Sequence, residues 1–234
     1  MFMTIKINNN LFYTIAFWWL RKLLYIFGIG ISLLVSANTL IWDAAWIFLI
    51  ITFVLEIGIA TFTHKELIGE NAIKYRGSKK WDKKISSIIT FWGPISIVIF
   101  SGLDYRFSSI LYYSKPIQNF AFFLLLVNGL LVTWSVSINP FYAKIVRIQY
   151  ERHHYVVASG PYQLVRHPGY LGSILFAFAT PFALESVYAL IPAFCLIFFI
   201  VLRTYYEDLI LNRQFKGYYD YSKQVRYRLI PFIW

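Results

Sequence analysis

Four apolar runs, residues 23–41, 44–62, 85–103 and 120–138, constrain this chain more than any other feature. Each approaches the roughly 20 residues a helix needs to cross the hydrocarbon core of a bilayer at about 1.5 Å rise per residue. The composition points the same way. With 59% hydrophobic residues, 21% aromatic and only 14% charged, a 234-residue soluble domain could not hide its apolar surface. The expected fold class is therefore all-α, a polytopic integral membrane helix bundle.

The first run is preceded by an aromatic segment, residues 11–20, and the pair Arg21-Lys22, which reads as an interfacial helix or the oblique start of the first span. Residues 38–43 leave room only for a tight turn. A basic loop is expected at residues 64–84, with seven Lys and Arg against three acids, and Gly93-Pro94 should kink the third span. The last membrane part differs. Residues 169–181 are too short to cross unaided and residues 185–202 contain Pro192, so together they read as a C-terminal helical hairpin turning at residues 181–186. The tail, residues 203–234, reads as an interfacial helix broken near Gly217 and ended by Pro231. That makes about six membrane segments in one integral domain: N-terminal transmembrane helices over residues 1–138, and a cofactor-binding region over residues 139–234.

Six crossings put both termini on one side. All but Arg106 and Lys115 of the 22 Lys and Arg residues then fall on that side, which the positive-inside rule makes cytosolic. The net charge of +11 thus reads as membrane topology and not as a nucleic-acid footprint. Cys195 is the single cysteine and can form neither an intrachain disulfide nor a multi-thiolate metal site. The first ten residues lack the pattern of a cleavable signal peptide.

Two polar clusters interrupt the apolar pattern on the expected cytosolic side. The first is Gly160-Pro161-Tyr162, followed by Arg166-His167-Pro168-Gly169-Tyr170-Leu171-Gly172. The second is Arg203-Thr204-Tyr205-Tyr206-Glu207-Asp208. Pro168 suits the first position of a helix, whose free backbone N–H groups can face a ligand. His167 can bind through either ring nitrogen or move a proton, or it anchors at headgroup depth with Arg166 and Tyr170. Arg203 and Glu207 are four apart and share a helix face, so a local ion pair is the plain alternative to a ligand site. Asp208 lies about 100° further round, expected free to face solvent or a second ligand group. His153-His154 lacks a third ligand at metal spacing, and no metal is expected. Glu56 is a lone acid inside the second span; it either lines a cavity or snorkels towards the His64 end.

In this order, these residues resemble the isoprenylcysteine carboxyl methyltransferase family and its relatives, the phospholipid N-methyltransferases. The shared elements are Val146-Arg147-Ile148-Gln149, His154-Tyr155-Val156-Val157, the two Gly/Pro-bearing strips above, Arg203 with Glu207-Asp208, and Val225-Arg226-Tyr227-Arg228-Leu229-Ile230-Pro231. The resemblance covers residues 139–234 only. It implies an S-adenosyl-L-methionine pocket at the cytosolic face, lined by Gln149, His154, Tyr155, Val156, Val157 and Tyr162. His167, Pro168, Gly169 and Tyr170 would hold the donor from the start of the hairpin, with Glu207 closing the pocket and Arg203 anchoring the acceptor carboxylate. His167 and Glu207 would be the proton-handling candidates. Two positions depart from the family's habit: Asp208 where a second glutamate is frequent, and His153 where a glycine commonly precedes the strip histidine.

The implied activity is methyl transfer to an amphiphilic acceptor, a prenylcysteine-like or other lipidic carboxylate, with membrane lipids as surroundings and no nucleic-acid partner. The alternatives are a lipid-headgroup N-methyltransferase, an NADPH-dependent membrane reductase, and a non-catalytic assembly or transport protein.

Overall fold

A computed structural model describes residues 10–72, 80–107 and 114–234, and the described residues are helical with no strand. The helices are α1 (Asn10–Ala37), α2 (Asp43–Phe62), α3 (Lys65–Ala72), α4 (Lys80–Ser87), α5 (Gly93–Phe107), α6 (Lys115–Ile138), α7 (Pro168–Ala183), α8 (Leu190–Gln214) and α9 (Tyr218–Gln224). Among them, α1, α2, the continuous stretch Trp81–Phe107 and α6 are long and apolar enough to cross a membrane. Their outward faces are bare: Phe27, Val35, Val54, Phe123 and Leu130 are all more than half exposed. Lipid is the solvent those faces fit.

Several expectations shift in detail. The aromatic segment at residues 11–20 is not a separate helix: α1 runs unbroken from Asn10, in keeping with the second of the two readings, the start of the first span. The basic loop is partly helical, with α3 and the start of α4 inside it; its middle, including Lys74, Arg76 and Lys79, lies outside the described residues. The kink at Gly93-Pro94 takes the form of a π-turn over Ile88–Trp92. Pro94 has no N–H to return to the residue four earlier, and the wider turn just before it absorbs the mismatch.

Packing is set by small residues and one buried acid. A β-carbon at Gly102 would stand 2.7 Å from the Leu33 carbonyl, so glycine lets α5 lie against the α1 backbone. The hairpin α7–α8 forms, with its turn over residues 184–189, three residues later than the expected 181–186. Asp104 of α5 fixes that turn by accepting from Ser186 Oγ at 2.7 Å and from the Tyr188 N–H at 3.1 Å. One core joins α1, α2, α5, α6 and α7 around Leu33, Phe48 and Leu125; a second joins α7 and α8 around Leu196 and Ile200. The tail departs from expectation. The second hairpin helix continues to Gln214, Gly217 takes a left-handed φ of 83°, and α9 ends at Gln224, well before Pro231. Beyond it the chain is irregular. Its carbonyls at Tyr227 and Arg228 accept from the Arg166 and His167 N–H groups, tying the tail back to the entry of the hairpin.

Candidate active site

Residues 139–168 carry little regular structure, so side chains must hold them. Gln149 is the central staple. Its Nε2 donates to the Phe141 carbonyl at 3.0 Å, and its Oε1 accepts from Arg152 at 2.6 Å. It is fully buried and does not line the cavity described below, so it shapes the wall from behind. His153 adopts φ 51°, ψ 45°, the left-handed region that glycine enters without penalty. The departure from glycine at this position is therefore a histidine held in a glycine-like conformation.

His154 follows with its ring between Phe141 and Phe215, centroids 4.2 and 4.4 Å away. Its Nδ1 accepts from the Gln149 N–H at 3.3 Å. Desolvation, helped by the charges of Arg152 and Arg147, pushes its pKa down to about 4, so the ring is neutral at physiological pH. The neutral ring forms a flat wall of the cavity between the two aromatic rings.

The two polar clusters meet. Tyr170 Oη donates to Glu207 Oε2 at 2.6 Å, closing the start of α7 onto the distal part of α8. Pro168 opens α7, where its missing N–H leaves no bond unmade. Gly169 is needed by proximity, since a β-carbon there would lie 2.2 Å from Tyr142 Oη. Tyr142 has its pKa pushed up to about 12, mainly by burial and further by the Glu207 charge, with Arg203 opposing. Its hydroxyl therefore stays protonated beside the carboxylate.

Asp208 is the largest correction. Expected free, it is 1% exposed and is the hub of the tail closure. Arg166 grips it with two bonds, Nε at 2.8 Å and a terminal nitrogen at 3.1 Å. Arg228 Nε donates at 2.8 Å and Tyr218 Oη at 3.0 Å, and His167 Nε2 stands 3.5 Å away. Burial alone would raise the Asp208 pKa; the bonds from His167 and Arg228 and the charges of His167 and Arg166 hold it well below the usual carboxylate range. Arg166 spends its remaining nitrogen on the carbonyls of Ser222, Val225 and Arg226.

Arg203 does not pair locally with Glu207. Its Nε donates to Asp82 Oδ1 at 2.9 Å and a terminal nitrogen donates to the Lys144 carbonyl, while the guanidinium lies 5.4 Å from the Tyr170 ring centroid. Asp82 also accepts from the Val146 N–H at 2.8 Å, so this pair locks α4, α8 and the strip before Gln149 together. Glu56, in α2, both lines the cavity and pairs with Lys22.

These elements enclose a cavity of about 540 Å³, within the roughly 300–1,000 Å³ range of small-molecule and cofactor sites. His154, Tyr155, Val156, Val157, Tyr162, His167, Pro168, Gly169, Tyr170, Arg203 and Glu207 all line it; of the expected site residues only Gln149 does not. One side is the loop and hairpin; the other is made by α1 and α2 through Trp18, Lys22, Tyr25 and Glu56.

Residues 120–213 match the isoprenylcysteine carboxyl methyltransferase family. The chain is 30% identical over 121 residues to protein-S-isoprenylcysteine O-methyltransferase A of Arabidopsis thaliana, an alignment covering 50% of this chain and 60% of that one. It is 38% identical over 96 residues to a probable protein-S-isoprenylcysteine O-methyltransferase of Oryza sativa subsp. indica, covering 39% and 49%. A third relative, protein-S-isoprenylcysteine O-methyltransferase B of Arabidopsis thaliana, is 28% identical over 112 residues, covering 47% and 57%. The chain thus spans about half to three-fifths of the length of these relatives. The family match contains Gln149, the hairpin and both polar clusters, but not Asp82, Lys22 or Glu56.

Proposed function

We propose that this protein is an integral membrane methyltransferase that uses S-adenosyl-L-methionine to methylate the carboxylate of an amphiphilic, prenylcysteine-like acceptor. The observation that carries the reading is the Tyr170–Glu207 bond, which brings two polar clusters 37 residues apart onto one cavity inside the family-matching region. The residues fit the donor. Glu207 offers a carboxylate to a cationic ligand, and Tyr142, Tyr170 and Phe215 offer aromatic faces of the kind that attract sulfonium and ammonium groups. When bound, the donor supplies an electrophilic methyl group.

The chain's own contribution is alignment and exclusion of water. An acceptor carboxylate is ionised near neutral pH and needs no general base. A site built to position two bound molecules is consistent with that chemistry. Arg203 contributes by holding the Lys144 backbone and the Tyr170 ring in place. The wall formed by α1 and α2 is the side from which a lipidic chain would approach out of the bilayer, and the positive-inside charge pattern supports a donor entrance on the cytosolic face.

The test is incubation of purified protein with methyl-labelled S-adenosylmethionine and N-acetyl-S-farnesylcysteine. Base-labile label in the lipid product supports a carboxyl ester. Base-stable label from lipid extract would turn the assignment to N-methylation, and transfer to neither would overturn it.

A further inference from the structure

Six cationic side chains line the cavity: Arg21, Lys22, Lys144, Arg147, Arg166 and Arg203. A carboxylate acceptor needs one of them, and four are already committed. Arg203 pairs with Asp82, Arg166 with Asp208, Lys22 with Glu56, and Arg147 with Glu151 at 2.7 Å. Arg21 stacks on Phe17 at 4.3 Å from the ring centroid, on α1. Like Arg21, Lys144 has no acid among the described residues within ion-pair distance, and unlike Arg21 its ammonium is stacked on no ring among them.

Its backbone, by contrast, is clamped. The Lys144 carbonyl accepts from both Ser86 Oγ at 2.8 Å and Arg203, and two residues on, Val146 is bound to Asp82. Two residues before it, Tyr142 sits against Gly169 beside Glu207. Lys144 therefore stands on a fixed strip running from the expected donor end of the cavity towards α1 and α2. Desolvation lowers its pKa, Lys22 and Arg21 lower it further, and Glu56 opposes them. Lys144 is exposed and lines the cavity, so an incoming anion can reach it, and the neighbouring Lys22 and Arg21 charges favour an anion there.

We propose that Lys144 binds the carboxylate of the methyl acceptor and selects acceptors that carry one, with Arg203 positioning its backbone instead of meeting the substrate. This rests on the carboxyl methyltransferase reading above. The pairing forms no covalent bond; the lysine holds the carboxylate while the methyl-accepting oxygen stays free.

The test uses full-length protein in detergent with N-acetyl-S-farnesylcysteine as probe and its neutral carboxamide as control. For Lys144→Met, loss of a charge-assisted contact should raise KM for the acid about 10- to 100-fold. Binding of S-adenosylhomocysteine, read by calorimetry, should stay within about twofold, and Lys144→Arg should recover most of the KM. Arg21→Met should have a smaller effect. An unchanged KM in Lys144→Met, or wild-type protein binding acid and carboxamide equally, overturns the inference while leaving the methyltransferase reading standing. Failure of the wild type to bind S-adenosylhomocysteine removes both.

Discussion

The N-terminal helices and residues 139–234 spend their polar groups in opposite ways. In α1 and α2 only 17% of the apolar window is buried inside the protein, and they share one described ion pair, Lys22–Glu56. Apart from the cavity wall they supply through Trp18, Lys22, Tyr25 and Glu56, these helices are scaffold and outward-facing apolar surface. Residues 139–234 depend on long-range polar closure: Asp208 gathers Arg166 and Arg228 from segments 42 and 20 residues away, and Arg203 reaches Asp82 across 121 residues. The difference teaches where specificity resides. A segment with little regular structure can be given one conformation only if its buried donors and acceptors are matched one to one.

The comparison is broken most forcefully at Asp208. Asp208→Ala strands the buried Arg166 guanidinium and frees the partly exposed Arg228, and should cost about 3–5 kcal/mol. The melting temperature in detergent should fall sharply, with S-adenosylhomocysteine binding lost as the tail opens. A mild effect would mean that the tail closes by apolar packing alone.

A second, smaller effect is a pH dependence confined to the C-terminal half. His154 has an ordinary pKa of about 6.5 when unfolded and about 4 when folded. Between those values the unfolded chain binds the extra proton, so stability rises with pH through the window and is lost on acidification from about 6.5 to 4. Asp208, also depressed, acts in the same direction but only below the usual carboxylate range. Wild type should therefore lose melting temperature on acidification across this interval while His154→Phe does not, so the difference between the two curves changes with pH. Parallel curves would remove His154 as the source.

The smallest effect belongs to the N-terminal side. Lys22 and Glu56 are each 22% exposed in their side chains, and a double-mutant cycle with Lys22→Met and Glu56→Gln should give a coupling of about 1 kcal/mol or less. A coupling as large as the loss at Asp208 would erase the contrast between the halves.

Much of the scaffold is legible in the sequence, because apolar runs of bilayer length have few other solutions. The second run coincides with α2 to within one residue, and Gly93-Pro94 announces a distortion without saying that it becomes a π-turn. The approach of Tyr170 to Glu207 is legible too, since a short hairpin must bring its two mouths together. Asp208 is not. A helical angle says which way a side chain leaves the helix and nothing about what covers it; here the cover is Arg166, Tyr218 and Arg228. Asp82 is missed for a similar reason, as one acid in a basic stretch whose partner stands far along the chain. Gln149 belongs to the right loop but faces inward, a distinction that needs the fold of residues 140–154.

The most direct measurement is calorimetric titration of S-adenosylhomocysteine into wild-type protein and Glu207→Gln, with NADPH as the competing ligand class. The account predicts saturable binding to wild type, weakened about 10- to 100-fold by the substitution, and no binding of NADPH. Saturable NADPH binding with no S-adenosylhomocysteine heat, or equal affinity in both proteins, would contradict a donor pocket closed by Glu207.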